Sequence, residues 1–186
     1  MARTPSVMIP LGSKASEFEL PDTKSGTVVS LGKSKGNKAT VLMFICNHCP
    51  FVKHVNPELV RIANEYTSKG VSFIAISSND VGQYPDDGPD TMKKVAAELK
   101  YPFPYLYDES QEVAKAYQAA CTPDFFIYDK DLKLVYRGQL DSSRPGNDIP
   151  LTGSDMRGAL ASIVNNKPVS ENQIPSIGCN IKWRNG

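Results

Sequence analysis

Histidine is scarce in this chain, with only two residues among 186, and tryptophan occurs once. Net charge is small too: 21 basic against 20 acidic side chains leave +1. So weak a field recruits neither nucleic acid nor an anionic bilayer, and neither is expected as a partner. The longest hydrophobic run, Val41 to Ile45, falls far short of the ~18 residues of a membrane span. Met1 to Leu11 lack a charged start followed by an apolar stretch, so a cytoplasmic protein is expected. Four cysteines are too few for a disulfide scaffold in a chain that fits one domain, 1–186. In a reducing compartment a close pair is catalytic, redox-sensing or metal-binding. Repeats and low-complexity tracts are missing, and no glycine cluster has dinucleotide or P-loop spacing, so no organic cofactor is expected.

The residues present alternate between strand and helix patterns. Glu17 to Leu20 and Thr27 to Leu31, separated by Pro21-Asp22-Thr23-Lys24-Ser25-Gly26, predict a hairpin. Thr40 to Ile45 is apolar on both alternating faces, which describes a strand covered on both sides. From Pro50 the period changes: Val52, Val55, Leu59, Ile62, Ala63 and Tyr66 mark one buried helical face, ended by Gly70. Pro57 is expected to kink or restart that helix, with Asn56 as cap. Val71 to Ser77 reads as a second buried strand, and the Asp-, Gly- and Pro-rich stretch Asn79 to Asp90 as a loop. A helix around Met92 to Leu99, a strand over Phe103 to Tyr107 and a helix around Val113 to Tyr117 follow. A hairpin pairs Asp124–Tyr128 with Leu132–Tyr136, Met156 to Val164 form a last helix, and the tail after Asn166 is expected to be irregular. The class is three-layer α/β.

The chemistry concentrates in Cys46-Asn47-His48-Cys49. A bare C-x-x-C is a weak signal, but here Cys46 ends a buried strand and Cys49-Pro50 opens a helix. The first helical turn offers unpaired N–H groups and about half a positive charge, which favour a thiolate. Pro50 suits that turn, where its missing N–H removes no bond. Cys46, at the strand end, is expected to be the more exposed and attacking thiol, and Cys49 to resolve the mixed disulfide. His48, between them, can donate a hydrogen bond to a thiolate and so tune the potential.

These features resemble the thioredoxin-like superfamily, and within it the AhpC/TSA-type branch shared by peroxiredoxin-like and TlpA-like proteins. The resemblance spans about residues 8–165 and includes Phe103-Pro-Tyr-Leu-Tyr-Asp-Glu-Ser-Gln-Glu-Val-Ala-Lys-Ala-Tyr117 and Cys121-Thr-Pro-Asp-Phe-Phe-Ile-Tyr-Asp129. The tail Ile177-Gly-Cys-Asn-Ile-Lys-Trp183 resembles an uncharacterised bacterial subgroup with the same dithiol. The resemblance implies a thioredoxin-like α/β/α sandwich with an N-terminal hairpin extension, a central insertion and the tail 166–186. It also implies a cis-proline at Thr122-Pro123, beside the dithiol and shaping the substrate groove. The implied activity is thiol–disulfide exchange with protein or small-molecule disulfides, recycled by an unidentified dithiol reductant.

Three departures shape that expectation. Thr40 stands where thioredoxins keep a buried acid, leaving water, His48 or Glu58 to move the proton. The peroxiredoxin motif aligns its cysteine with Cys49, but its proline and threonine positions hold Leu42 and Cys46, and its arginine is missing near Cys121-Thr122-Pro123. Thiol peroxidase activity with Cys49 as the peroxidatic residue is therefore the alternative rather than the first reading. The third departure is Asn47-His48 in place of Gly-Pro, which alters potential and partner choice. Cys121 reads as a small buried apolar residue, and Cys179 as a possible third redox thiol. A copper or zinc site built from Cys46, Cys49 and His48 or His54, completed by Cys179 or a carboxylate, is the remaining alternative; no resident metal is expected.

Overall fold

The computed structural model describes residues 3–184. In chain order these contain β1 (Arg3–Pro5), β2 (Glu19–Pro21), β3 (Val28–Ser30), α1 (Leu31–Ser34), β4 (Ala39–Phe44), α2 (Pro50–Thr67) and β5 (Val71–Ser77). A short 3-10 turn (Pro85–Asp87) precedes α3 (Pro89–Glu98), β6 (Tyr105–Tyr107), α4 (Glu112–Ala116) and β7 (Cys121–Thr122). The chain finishes with β8 (Asp124–Asp129), β9 (Leu134–Arg137), α5 (Ser154–Val164) and β10 (Ile177–Asn180).

The central sheet has the order β6-β5-β4-β8-β9, with β4, β5 and β6 parallel and the β8–β9 hairpin antiparallel. All six residues of β4 are buried, and their alternation sorts the core into two layers. Val41 and Met43 pack with α2, α3 and α5 through Val55, Leu59, Met92 and Leu160. Leu42 and Phe44 face the other way, toward Leu20 of β2, Leu31 of α1 and Ala114 of α4. A strand buried at every position thus carries helices on both faces, and the expected three layers form. The predicted hairpins also form, with Leu20 opposite Val29 and a bulge between Ile127 and Tyr128 in the second.

Two expectations are corrected. Helix α2 runs unbroken through Pro57, and Asn56, rather than capping a restarted helix, is buried and accepts a 2.8 Å hydrogen bond from the Tyr101 hydroxyl. Proline forfeits one helical hydrogen bond, but Val52, Val55, Leu59 and Ile62 hold the helix against the sheet on either side of it. The tail is not irregular throughout. Ile177–Asn180 forms the middle strand of a second sheet, β1-β10-β7, in which Cys179 stands opposite both Arg3 and Thr122. Among the described residues no helix is long and apolar enough to cross a membrane.

Candidate active site

Strand β4 delivers its last residues directly to the dithiol. The Ile45 N–H bonds the Ile76 carbonyl at 3.0 Å, extending the β4–β5 ladder by one step before Cys46. Cys49 is the N-cap of α2, with Pro50 in the first turn and the first helical bond running from Lys53 N–H to the Cys49 carbonyl. The Thr122–Pro123 peptide bond is cis, as the resemblance implied. Thr122 touches both sulfurs: its Oγ1 is 3.3 Å from Cys46 Sγ, and its carbonyl oxygen is 3.2 Å from Cys49 Sγ. Cys179 comes in from β10, with Sγ 2.9 Å from Cys49 Sγ. Cys121 is buried on β7, its Sγ 3.5 Å from the Pro123 carbonyl.

The expected difference in exposure between the two thiols is not found: Cys46 is 1% and Cys49 0% exposed. Electrostatics separates them instead. The Cys46 thiol, the Cys179 thiol, and backbone N–H groups of Val52 and Cys179 bring Cys49 down to about 5 against the opposing effect of burial. The same hydrogen bond to Cys49, together with burial and the Asp87 carboxylate, holds the proton on Cys46 and pushes its pKa up. Burial and then the hydrogen bond to Cys49 raise Cys179 to about 12. Within the cluster a thiolate is therefore favoured on Cys49, at the helix start, over Cys46 and Cys179.

That placement gives a pH prediction. Only the thiolate alkylates, so the iodoacetamide rate at Cys49 should rise tenfold per pH unit up to about pH 5 and be flat by about pH 7. An ordinary thiol would keep gaining rate to about pH 8.5, and such a profile at Cys49 would overturn the assignment. By linkage, a lowered folded pKa stabilises the reduced fold above the unfolded value, a contribution that is lost as pH falls toward 5.

Asp87 is the residue that sequence reading missed. It is fully buried in the 3-10 turn, within the stretch expected to be only a loop. Its Oδ1 accepts the Asn47 N–H at 2.8 Å and the His48 N–H at 3.2 Å; its Oδ2 accepts Asn79 Nδ2 at 2.8 Å and pairs with His48 Nδ1 at 2.6 Å. The carboxylate therefore folds the Asn47-His48 turn around itself. His48 Nδ1 stands 3.9 Å from Cys46 Sγ, too far for a strong bond, so the imidazole serves Asp87 first. Its ring stacks on Tyr84 at 5.1 Å between centroids. Asn47 is fixed by Asp86 and by the Tyr105 hydroxyl.

Cys46, His48 and Asp87 bring their donor atoms within 4.8 Å of one another, a grouping of metal-ligand types. Both Asp87 oxygens already accept two hydrogen bonds each, which leaves no well-directed lone pair for an ion. His54 lies elsewhere, bonded to Ser143 Oγ at 2.8 Å, in the wall of a small cleft beside Phe51 and Pro123. Glu58, a candidate proton carrier, is taken up by Arg157 and Arg61 at 2.7 and 3.2 Å. Arg137 is buried in the same sheet, but its N–H groups go to Ser6, Tyr117, Gln118 and Asp124 rather than to a sulfur.

With this geometry in place, the comparison with known proteins is direct: the AhpC/TSA family profile matches residues 11–137. The chain belongs to the AhpC/TSA family. This AhpC/TSA protein is 63% identical to an uncharacterized conserved protein from Geobacillus kaustophilus, over 100% of this chain and 98% of that one, with a TM-score of 0.98. A hypothetical protein from Sinorhizobium meliloti 1021 is 45% identical over 98% and 100% of the two chains, with a TM-score of 0.96. The thioredoxin domain of a thiol-disulfide oxidoreductase from Bacteroides vulgatus shares the fold at 23% identity and a TM-score of 0.60, over 74% of this chain and 91% of that one. No curated protein matches the sequence.

Proposed function

We propose that this AhpC/TSA-family protein is a thiol–disulfide oxidoreductase working through Cys46 and Cys49. The observation that carries this reading is the pair of sulfurs held between the start of α2 and the cis Thr122–Pro123 bond, with Cys49 brought down to about 5. In this reading the roles expected of the two thiols are exchanged: the Cys49 thiolate attacks one sulfur of a client disulfide, and the first client thiolate leaves. Cys46 then gives its proton to that leaving thiolate and attacks Cys49 Sγ, expelling the second client thiolate, which is protonated by water, and closing the Cys46–Cys49 disulfide. A dithiol reductant reverses these steps, and a reducing compartment such as the cytoplasm keeps the pair ready. Burial of both sulfurs favours low-molecular-weight disulfides or thin extended segments over folded surfaces. His48 and Asn47 act through the turn they form on Asp87, and Pro123 walls the groove.

One observation favours a second reading, thiol peroxidase activity. The sulfur carrying the charge is Cys49, the position that matches the peroxidatic cysteine, and a peroxide is small enough for a buried thiolate. Against it stands Arg137, whose N–H groups are taken up by other acceptors, so it supplies no donor for an oxyanion. The test measures glutathione disulfide reduction and hydrogen peroxide consumption side by side, in wild type and in Cys46→Ser and Cys49→Ser. Disulfide turnover that exceeds peroxide turnover and vanishes in Cys49→Ser is expected. Wild-type disulfide turnover in Cys49→Ser would refute the proposal, and peroxide turnover as the faster reaction would select the second reading.

A further inference from the structure

Strand β10 occupies the backbone edge of the cis-proline segment, pairing Cys179 with Thr122 and Asn180 with Cys121. That edge is where an extended client segment would add its own strand to reach the sulfurs. The chain has filled it with its own tail, and the residue presented to the dithiol is a cysteine. The seat is closely fitted: a Cβ on Gly178 would overlap the carbonyl of Thr122, so only glycine lets the strand come this near. Pairing with β1 on the other side, Arg3 opposite Cys179 and Thr4 opposite Gly178, fixes the register. Cys179 is 1% exposed, and its sulfur is 2.9 Å from Cys49, within an ångström of the ~2.05 Å of a disulfide bond.

From this placement we infer that Cys179 is a third redox thiol, competing with Cys46 to resolve the mixed disulfide on Cys49. This rests on the exchange reading above. When Cys49 has attacked a client disulfide, the Cys179 thiol gives its proton to the departing client thiolate. Its sulfur then attacks Cys49 Sγ, the bond from Cys49 to the client breaks, and the second client half leaves as a thiolate that takes its proton from water. The Cys49–Cys179 bond forms, Cys46 remains a thiol, and the client has gained two electrons. Cys49 is thus the common member of two alternative disulfides, and the second one ties β10 to the start of α2.

Trypsin places Cys46 and Cys49 together in peptide 39–53 and Cys179 in peptide 158–182, so the two outcomes separate by mass. Folded wild type, Cys46→Ser, Cys179→Ser and Gly178→Ala are treated with glutathione disulfide and, in parallel, with diamide, a small diazene that takes two hydrogens from a thiol pair. After acid quench, alkylation and digestion, a link between 39–53 and 158–182 is expected in wild type and as the dominant disulfide in Cys46→Ser. It should be lost in Cys179→Ser, which closes only the bond within 39–53. In Gly178→Ala the link should fall at least tenfold while the bond within 39–53 still forms. Cys46→Ser should also retain glutathione disulfide turnover that Cys46→Ser/Cys179→Ser lacks. Absence of the linked pair from both wild type and Cys46→Ser, under either oxidant, would overturn the role of Cys179 while leaving the exchange reading intact. Conversely, wild type that forms the link with diamide but does not reduce glutathione disulfide removes the exchange reading, and with it the resolving role.

Discussion

Asp87→Ala is expected to destabilise the reduced protein by about 3 kcal/mol or more and to lower thiol exchange sharply. Asp87 has no exposed surface and collects four hydrogen bonds, from the backbone of Asn47 and His48, the Asn79 amide and the His48 ring. Truncation leaves those donors facing a cavity, and an orphaned buried donor costs about 1–3 kcal/mol. Water entering the space would recover part, so the expected value lies just under the ~4 kcal/mol lower end of the four-donor sum. In a chain of this length that corresponds to a melting temperature lower by roughly 6–12 °C. Asp87→Asn should be little better, although it keeps the volume. Turned one way the amide nitrogen meets the N–H groups of Asn47 and His48, and turned the other way it meets the Asn79 amide N–H, so at least one donor faces another in either orientation. Activity falls because the turn that presents Cys46 and Cys49 is wrapped around this carboxylate. Removal of the charge beside Cys46 also eases its ionisation, which would appear as a second thiol titrating at lower pH. Denaturation curves and the alkylation profile, measured on the same sample, check both. An Asp87→Ala protein with an unchanged midpoint would show that the network does not hold the site.

How much of this was legible in the sequence depends on the range of the interaction. Period-two burial in Thr40 to Ile45 and the three-and-four spacing from Val52 to Tyr66 report local geometry, and both elements formed where the pattern put them. The dithiol was legible for the same reason, since a strand end and a helix start meet within four residues. Pro57 misled because propensity is a weak term beside a helical face buried on both sides of it. The tail misled because β10 is short and contains Gly178; what makes it a strand is pairing with β1 and β7. Asp87 gave no signal at all. One aspartate among several in a Gly- and Pro-rich stretch looks like turn chemistry, and only the fold brings it to the backbone of Asn47. The charge on Cys49 was hidden likewise, because the hydrogen bond between Cys46 and Cys49 and their burial set it, with Cys179 lowering Cys49 further and Asp87 raising Cys46.

Arg137→Ala should cost about 3–5 kcal/mol, the range found when one partner of a buried ion pair is removed. Arg137 and Asp124 both have side chains with no exposed surface, 3.2 Å apart. The guanidinium also bonds Ser6 Oγ at 3.0 Å and the Gln118 carbonyl at 2.8 Å, and it lies over the Phe126 ring, 4.2 Å from its centroid. The side chain thus joins β9, β8, the end of α4 and the segment after β1, and its loss opens space as well as stranding a charge. Burial already pushes Asp124 above the usual carboxylate range even with Arg137 beside it. Without the cation the shift grows, and the folded state escapes part of the penalty by binding a proton. The sign follows from linkage: a carboxyl whose folded pKa is raised stabilises the fold below its unfolded pKa, and that contribution is lost as pH rises through the folded value. The deficit of Arg137→Ala should therefore be smallest near pH 4 and grow toward pH 8, as urea denaturation at both pH values would show. Arg137→Met/Asp124→Leu should recover part of the loss by removing the stranded charge, but not all, because the Ala120 N–H and Ser6 hydroxyl then lose their acceptor. A deficit that shrinks as pH rises would contradict the assignment of Asp124 as the group left uncompensated.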